Sequence, residues 1–465
     1  MAPNEMTPNR GSYAERMRED ARARAEWTDA RSVAHETARA LAGRRPAAET
    51  VPLDEAIGRV LATDLMAKTD VPSAPSSAMD GWAVRGRGPW RVLGDAIAEA
   101  EAEADAAAEA EPADAVADPD AEGAATGGPT AGLLHDGEAA PVATGDPVPS
   151  GASAVLRRER GEVRGSILSA SFGEPGGGPE HGADIRLAGE DARAGALLLQ
   201  AGTVLNPAQV VAASICGYDE VTVAAVPGAD ILLVGDVSEA LEGRLPALFR
   251  MLGLRSSTPR HVADDRQALR RALHGEGRIR DAAGDAGANS AAGPTADPTR
   301  DPTGAEKVTI TVGGIGRSQS DDLRGVLRDA GAEFVIDGVC MRPGSPSLLV
   351  RMPDGRLIVA LPGTPLAAFV GATVLLTPLV AGLRCVPLPQ PSAVRLAEDV
   401  HDGRGRARML PYVLTVDGAV QIARRGAAVL RGLGDADGLL VVPAEGATRG
   451  AVVPALSLPW TFPTA

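Results

Sequence analysis

The sequence predicts a multidomain chain of class α/β plus β, built around a doubly wound α/β domain. Three observations predict it. From Asp230 to Leu383, short apolar runs alternate with amphipathic helical patterns. Beyond Pro387 the pattern shortens to strands and turns, as in a small β-barrel or sandwich. The 465 residues also exceed what one hydrophobic core sustains, so three or four domains are expected.

Taken in order, residues 14–45 are rich in Ala, Arg and Glu and predict a helix. Val33, Thr37, Ala40 and Leu41 share a face, and Gly43 with Pro46 ends it. Residues 53–62 predict a second, short helix. Residues 71–84 show no periodicity before Trp82-Ala83-Val84. Asp80-Gly81 is a tight-turn pair there, so the Asp80 carboxylate is expected at a loop tip, as a ligand contact or as an ordinary turn cap. From about residue 95 the composition becomes Ala, Glu and Asp, then Gly, and residues 95–140 are expected to be disordered. Residues 281–305 are expected to form a similar insertion. Between these lie strand 231–234, helices through Leu241–Leu252 and 267–273, strand 307–312, helix 321–330, strand 357–361 and helix 366–383. This alternation implies a mostly parallel sheet covered on both faces, with ligands bound beyond its carboxyl ends.

Charge and composition narrow the function. The net charge is −15, yet residues 92–156 hold fourteen Asp or Glu and no Lys or Arg, leaving −1 for the rest. A nearly neutral body with no basic face argues against a nucleic-acid partner. No run of eighteen apolar residues argues for a membrane span, and the first thirty residues fit neither a signal nor a transit peptide. A flexible N-terminus (1–30) and a cytoplasmic protein are therefore expected. Cys216, Cys340 and Cys385 lie far apart in apolar segments and read as buried thiols in a reducing compartment. The six histidines form no cluster in sequence.

Two strand ends carry chemistry. Strand 307–312 runs into Gly313-Gly314-Ile315-Gly316-Arg317-Ser318, where glycines allow close backbone approach to an oxyanion and Arg317 could close on it. A purely geometric Gly-rich turn reads the same way. In Leu361-Pro362-Gly363-Thr364-Pro365, Thr364 fits an N-cap with Pro365 at the first helical position. Asp236 with Glu239, and Ser318 with Asp321, fit capping boxes, the reading preferred for Asp236.

The blocks Val51-Pro52-Leu53-Asp54-Glu55-Ala56-Ile57-Gly58-Arg59-Val60-Leu61-Ala62 and Ser77-Ala78-Met79-Asp80-Gly81-Trp82-Ala83-Val84 resemble the molybdopterin molybdenumtransferase family, which includes MoeA and the gephyrin E domain. Thr144-Gly145-Asp146-Pro147, Ile185-Arg186-Leu187-Ala188-Gly189-Glu190-Asp191 and Ala201-Gly202-Thr203-Val204-Leu205 follow in the family's order. The resemblance runs from about residue 30 to the C-terminus. It implies an elongated N-terminal α+β domain (31–75 and 176–226) and an inserted β-rich domain (76–175). It also implies an α/β domain (227–385) that binds molybdopterin and a C-terminal β-barrel (386–465).

The resemblance implies an enzyme that takes adenylylated molybdopterin and molybdate as substrates, uses Mg²⁺ and releases AMP. Asp80, Thr144 and Glu190 match its catalytic motifs. Gly313, Gly314, Gly316, Arg317, Ser318, Arg342, Gly344, Pro362, Gly363 and Thr364 would contact the anionic ligand, and Asp236, Asp264 and Asp321 would bind metal. The resemblance also implies a homodimer, with one subunit's N-terminal part facing the other's α/β domain. The second half departs from the family pattern. Gly316 and Ser318 stand in exchanged order, Thr364 replaces Asn, and Val234 replaces the Thr before Asp236. Arg342 and neutral Ser345 stand where the family carries two lysines around Pro-Gly. A divergent relative that binds pterin or a protein partner without turnover is the alternative, and a nucleotide-binding regulatory domain a third reading.

Overall fold

The computed structural model describes residues 24–43, 47–93, 133–171, 177–237, 239–273, 307–316, 322–401, 405–422 and 432–461. Residues 1–23, 94–132 and 281–305, named above in the expected flexible or disordered stretches, lie outside these. Among the described residues, parts of the expected flexible and disordered stretches are ordered. Residue 25 already pairs with Val339, and a helix begins at Trp27. Likewise Leu134 is 2% exposed and Glu138–Val142 is a strand, because apolar residues return there and find a core.

The central sheet is mixed. Strands Gly228–Val234, Lys307–Val312 and Leu357–Leu361 run parallel, and Arg255–Ser256 and Arg260–Val262 continue the parallel array beyond the first. On the other side Leu348–Arg351 and Glu333–Asp337 pair antiparallel. Ile231, Leu233, Ile310, Val312, Val359 and Leu361 point into one apolar core. Leu232, Val234, Ile358 and Ala360 point into a second, with Leu269, Leu323 and Leu327. Burial on both faces is why these strands read as unbroken apolar runs.

The helix Trp27–Ala42 packs into the first of these cores through Ala30, Ala34 and Ala38. Its neighbour is Thr377–Leu383, where a Cβ on Gly382 would lie 2.3 Å from the His35 carbonyl oxygen. Only small residues permit so close a crossing. The structure thus places this helix with the α/β core, a placement that grouping 31–75 into one domain does not anticipate. The run Pro365–Leu383 is long and apolar enough to cross a membrane by length and composition, but 83% of it is buried inside the protein.

Three two-stranded ladders pair outgoing chain with returning chain: Ala48–Pro52 with Glu220–Ala224, Leu65–Met66 with Leu197–Leu199, and Ser76–Ser77 with Ile185–Arg186. A six-stranded sheet follows at the far end, in the order 154–157, 81–84, 138–142, 90–92, 167–170, 161–164. Trp90 fills its core at 0% exposure and donates its indole N–H to the Arg85 carbonyl. The helix expected at 53–62 is only a 3₁₀ turn, Leu53–Glu55. Val60 and Leu61 are drawn instead into bridges with Val204 and Val223, so pairing overrides local propensity. At the C-terminus, strands Ser392–Arg395, Val452–Leu456, Gly438–Val442, Ala407–Thr415 and Gly418–Gln421 pair in succession. A bridge between Leu396 and Ala419 brings the two ends of that sheet together. Met341–Arg342 also joins it, beside Ala407–Arg408.

Candidate functional site

A cleft of about 400 Å³ opens beyond the carboxyl ends of the parallel strands. Val234, Gly235, Asp236, Asp264, Gly313, Gly314, Ile315, Gly316, Pro346, Pro362, Gly363 and Thr364 line it. Three strand-end loops meet there almost backbone to backbone. Gly313 (φ +95°) sits so close that a Cβ would fall 2.2 Å from the Val234 carbonyl oxygen, and one on Gly314 (φ +65°) 2.4 Å from Val234 Cγ1. The glycines are therefore required sterically as well as conformationally. Ile315, 2% exposed, anchors the same loop.

Two carboxylates reach this cleft. Asp264 Oδ1 accepts the Asp322 N–H at 3.3 Å and would lie 3.3 Å from a Cβ on Gly314. The neighbouring Asp265 does different work: its carboxylate accepts the N–H groups of Gln267 and Ala268, capping the helix Arg266–Leu273. Asp236 lines the cleft as well. Thr364 is the N-cap of Pro365–Gly371 by position, but its side chain makes no capping hydrogen bond and lines the cleft. Arg317, Ser318 and Asp321 lie outside the described residues. Among the described residues no group of three or more His, Cys, Asp or Glu gathers around one point.

Arg342 and Gly344 are not on this lining. Arg342 is exposed on its strand, and Gly344 (φ +92°) packs between Met341 Cε and the Ala367 carbonyl oxygen. Their segment reaches the cleft through Pro346 instead. Val234, Gly235, Ile315 and Pro346 were not singled out as ligand contacts from sequence. The direct neighbours Asp236, Gly314 and Ser345 were the available signal.

The other candidates sit on the N-terminal arm. Thr144 donates both its N–H and its hydroxyl to Asp80 Oδ1, each at 2.7 Å. The Thr144 hydroxyl first, then its N–H, holds the Asp80 carboxyl below its usual range. The Thr144 turn is pinned by Gly145 N–H to the Ser77 carbonyl at 2.8 Å, so both residues ride on the Ser76–Ser77 ladder. Glu190 closes its own turn, accepting the Leu187 N–H at 2.8 Å, and Gly189 N–H ties that turn to the Pro72 carbonyl. Asp80, Thr144 and Glu190 are exposed, and none of them lines the α/β cleft.

A mixed α/β sheet with a Gly-walled cleft at its strand ends, an arm carrying an inserted β-sheet, and a C-terminal β unit define a multidomain protein whose candidate site is the cleft on the α/β part. The family model of the MoeA N-terminal region (domains I and II) matches residues 25–217, and that of the MoeA C-terminal region (domain IV) matches residues 393–458. The chain belongs to the MoeA family. It is 29% identical over 410 residues to molybdopterin molybdenumtransferase 2 of Mycobacterium tuberculosis, covering 85% of this chain and 91% of that one. It is 27% identical over 402 residues to the molybdopterin molybdenumtransferase of Synechococcus elongatus, covering 86% and 91%. The crystal structure of a molybdopterin biosynthesis MoeA protein from Pyrococcus horikoshii matches with a TM-score of 0.64 at 19% identity, covering 93% of this chain and 99% of that one.

Proposed function

We propose that this protein acts in molybdenum cofactor biosynthesis as a molybdopterin molybdenumtransferase, inserting molybdate into adenylylated molybdopterin with release of AMP. The observation that carries the reading is the convergence of Gly313, Gly314 and Gly363 with Asp236 and Asp264 on one cleft. Backbone-walled strand ends suit an oxyanion, since no side chain stands between it and the amides. Carboxylates beside an anion make sense when a hard cation lies between them. Asp236 and Asp264 offer the all-oxygen donor set that Mg²⁺ prefers, and water and ligand oxygens would complete its shell. Bound there, Mg²⁺ would neutralise charge on the phosphoanhydride.

Asp80, Thr144 and Glu190 would complete the site from a second subunit in a homodimer, since the arm that carries them does not reach the cleft of its own chain. The Thr144 bonds engage one oxygen of Asp80, so the carboxylate is held ionised and oriented. Catalysis would then rest on positioning and charge neutralisation rather than on a protein nucleophile. A cytoplasmic enzyme is consistent with this.

The test is AMP release from adenylylated molybdopterin with molybdate and Mg²⁺. Wild type is expected to turn over, and Asp80→Ala to lose turnover while its melting temperature falls only slightly. Val234 in place of Thr, and a neutral Ser345, favour the second reading, a pterin-binding relative without turnover. Tight pterin binding with no AMP above background would establish that reading instead.

A further inference from the structure

The arm meets the α/β body with little shared packing. Val51, Ala56, Leu61, Leu65, Val221 and Val223 belong to a core of the arm's own, separate from the two cores of the α/β sheet. Among the described residues no helix or strand of the arm packs extensively on an element of the body. The chain crosses between them before Ala48 and after Ala224. Such a joint swings unless a specific contact fixes it.

Arg384 spans this joint, its Nη2 donating to the Gly58 carbonyl at 2.7 Å. Both ends of the contact are anchored. Arg384 is the C-cap of Thr377–Leu383, whose residues from Pro378 to Leu383 are all buried in the body. Its stem leaves through a notch at Gly253 (φ +89°), where a Cβ would fall 2.9 Å from Nη1 and 3.2 Å from Cδ. Gly58 (φ +77°) sits in a turn closed by its own N–H to the Leu205 carbonyl at 2.8 Å and by Arg59 N–H to the Ala56 carbonyl at 3.0 Å. Burial, and then the charge of Arg59, lower the Arg384 pKa, so the surroundings disfavour a cation that the fold nonetheless keeps there. Arg59 is itself occupied within the arm, donating to Glu49 and to the Ala224 carbonyl beside the first ladder.

Along the outgoing chain, Asp80 lies beyond three successive ladders from this joint. A small rotation at Gly58 is therefore amplified at the Asp80 carboxylate, and reacting groups tolerate little misplacement. We propose that Arg384 is a positioning residue that sets the angle of the arm on the body, and with it the approach of Asp80 and Thr144 to the cleft of the partner subunit. The inference rests on the two-chain site proposed above. Because the contact is one hydrogen bond rather than a bidentate pair, Arg384→Lys can still satisfy Gly58, whereas the shorter side chain of Arg384→Gln cannot reach it.

The experiment places spin labels on genetically encoded non-natural residues at positions 164 and 271, exposed on the inserted sheet and on the body. Labelled full-length chains are diluted into unlabelled ones, and pulsed electron resonance reads the distance from arm to body. Wild type should give one narrow distribution, Arg384→Gln a clearly wider one, and Arg384→Lys one close to wild type. In AMP release, Arg384→Gln should lower kcat about tenfold while KM for molybdate changes less than about twofold, and Arg384→Lys should recover most of kcat. A contact that served stability alone would lower the melting temperature and leave both the distribution and kcat unmoved. A distribution in Arg384→Gln as narrow as wild type overturns the proposal, and so does a wide one with kcat undiminished. If wild type releases no AMP, the reaction proposed above fails, and a widened distribution in Arg384→Gln alone still supports the role of Arg384 at the joint.

Discussion

At the scale of single residues, the structure separates acids that sequence reading leaves together. Asp264 and Asp265 are adjacent and chemically identical, yet one faces the cleft while the other caps a helix. Only the direction in which the chain leaves Val262 decides this, and sequence does not state it. Asp80 was legible because Thr144 stands in a motif of its own, and the two meet. The pair makes a prediction. Because hydrogen bonds depress the folded pKa of Asp80, its contribution to stability is present above the unfolded value and lost as pH falls through the folded one. Thr144→Val removes the larger donor and leaves the backbone one, so the Asp80 pKa should rise toward the ordinary carboxylate range. A carboxyl-carbon NMR titration checks it, and an unmoved Asp80 midpoint would refute the assignment. Since Asp80 stays ionised well below neutrality, it cannot cause a loss of activity between pH 6 and about 8.

At the scale of elements, the long helix after Thr364 shows how a buried charge holds a local irregularity. Between Pro365–Gly371 and Thr377–Leu383 the backbone takes a π turn, Ala372–Leu376. Such a turn shifts carbonyls out of the regular ladder. Arg31, 4% exposed on the facing helix, donates to the Thr373 carbonyl at 3.1 Å and also to that of Pro389. Burial pushes its pKa down to about 10, so it remains charged at neutral pH. Arg31→Met would keep much of the volume but strand both carbonyls, and should cost about 2–3 kcal/mol in urea unfolding. A loss below about 0.5 kcal/mol would mean water replaces the guanidinium. The helix itself was legible from its Ala and Arg content, but its buried face was not. Alanines at 30, 34 and 38 face the core, whereas Val33 and Leu41 are only partly buried. Hydrophobicity points to the larger residues, while close helix crossing selects the smaller ones.

At the scale of the whole molecule, the parallel strands were legible because apolar runs buried on both faces leave a strong signature. The returning arm was legible only through the family resemblance that joins 31–75 with 176–226, and not from pattern, since its ladders are two to five residues long and pair segments more than 100 positions apart. That arm decides whether the two halves of the site can meet. Asp80 and Thr144 ride on Ser76–Ser77, and Gly314 lies beyond the carboxyl end of the interior strand Lys307–Val312, with Asp80 and Thr144 absent from the cleft lining. If two-fold symmetry brings them together, each complete site draws on both chains. Asp80→Ala and Gly314→Ala should then each be inactive alone. Mixed in equal amounts with subunit exchange, half the dimers would be hybrids, each with one intact site and one doubly damaged site. AMP release should recover to about one quarter of wild type. Native mass spectrometry with one variant isotopically heavy would verify the exchange. Hybrids that form but stay inactive would place Asp80 and Gly314 in the same chain's site, and the arm would then have to fold back onto its own cleft.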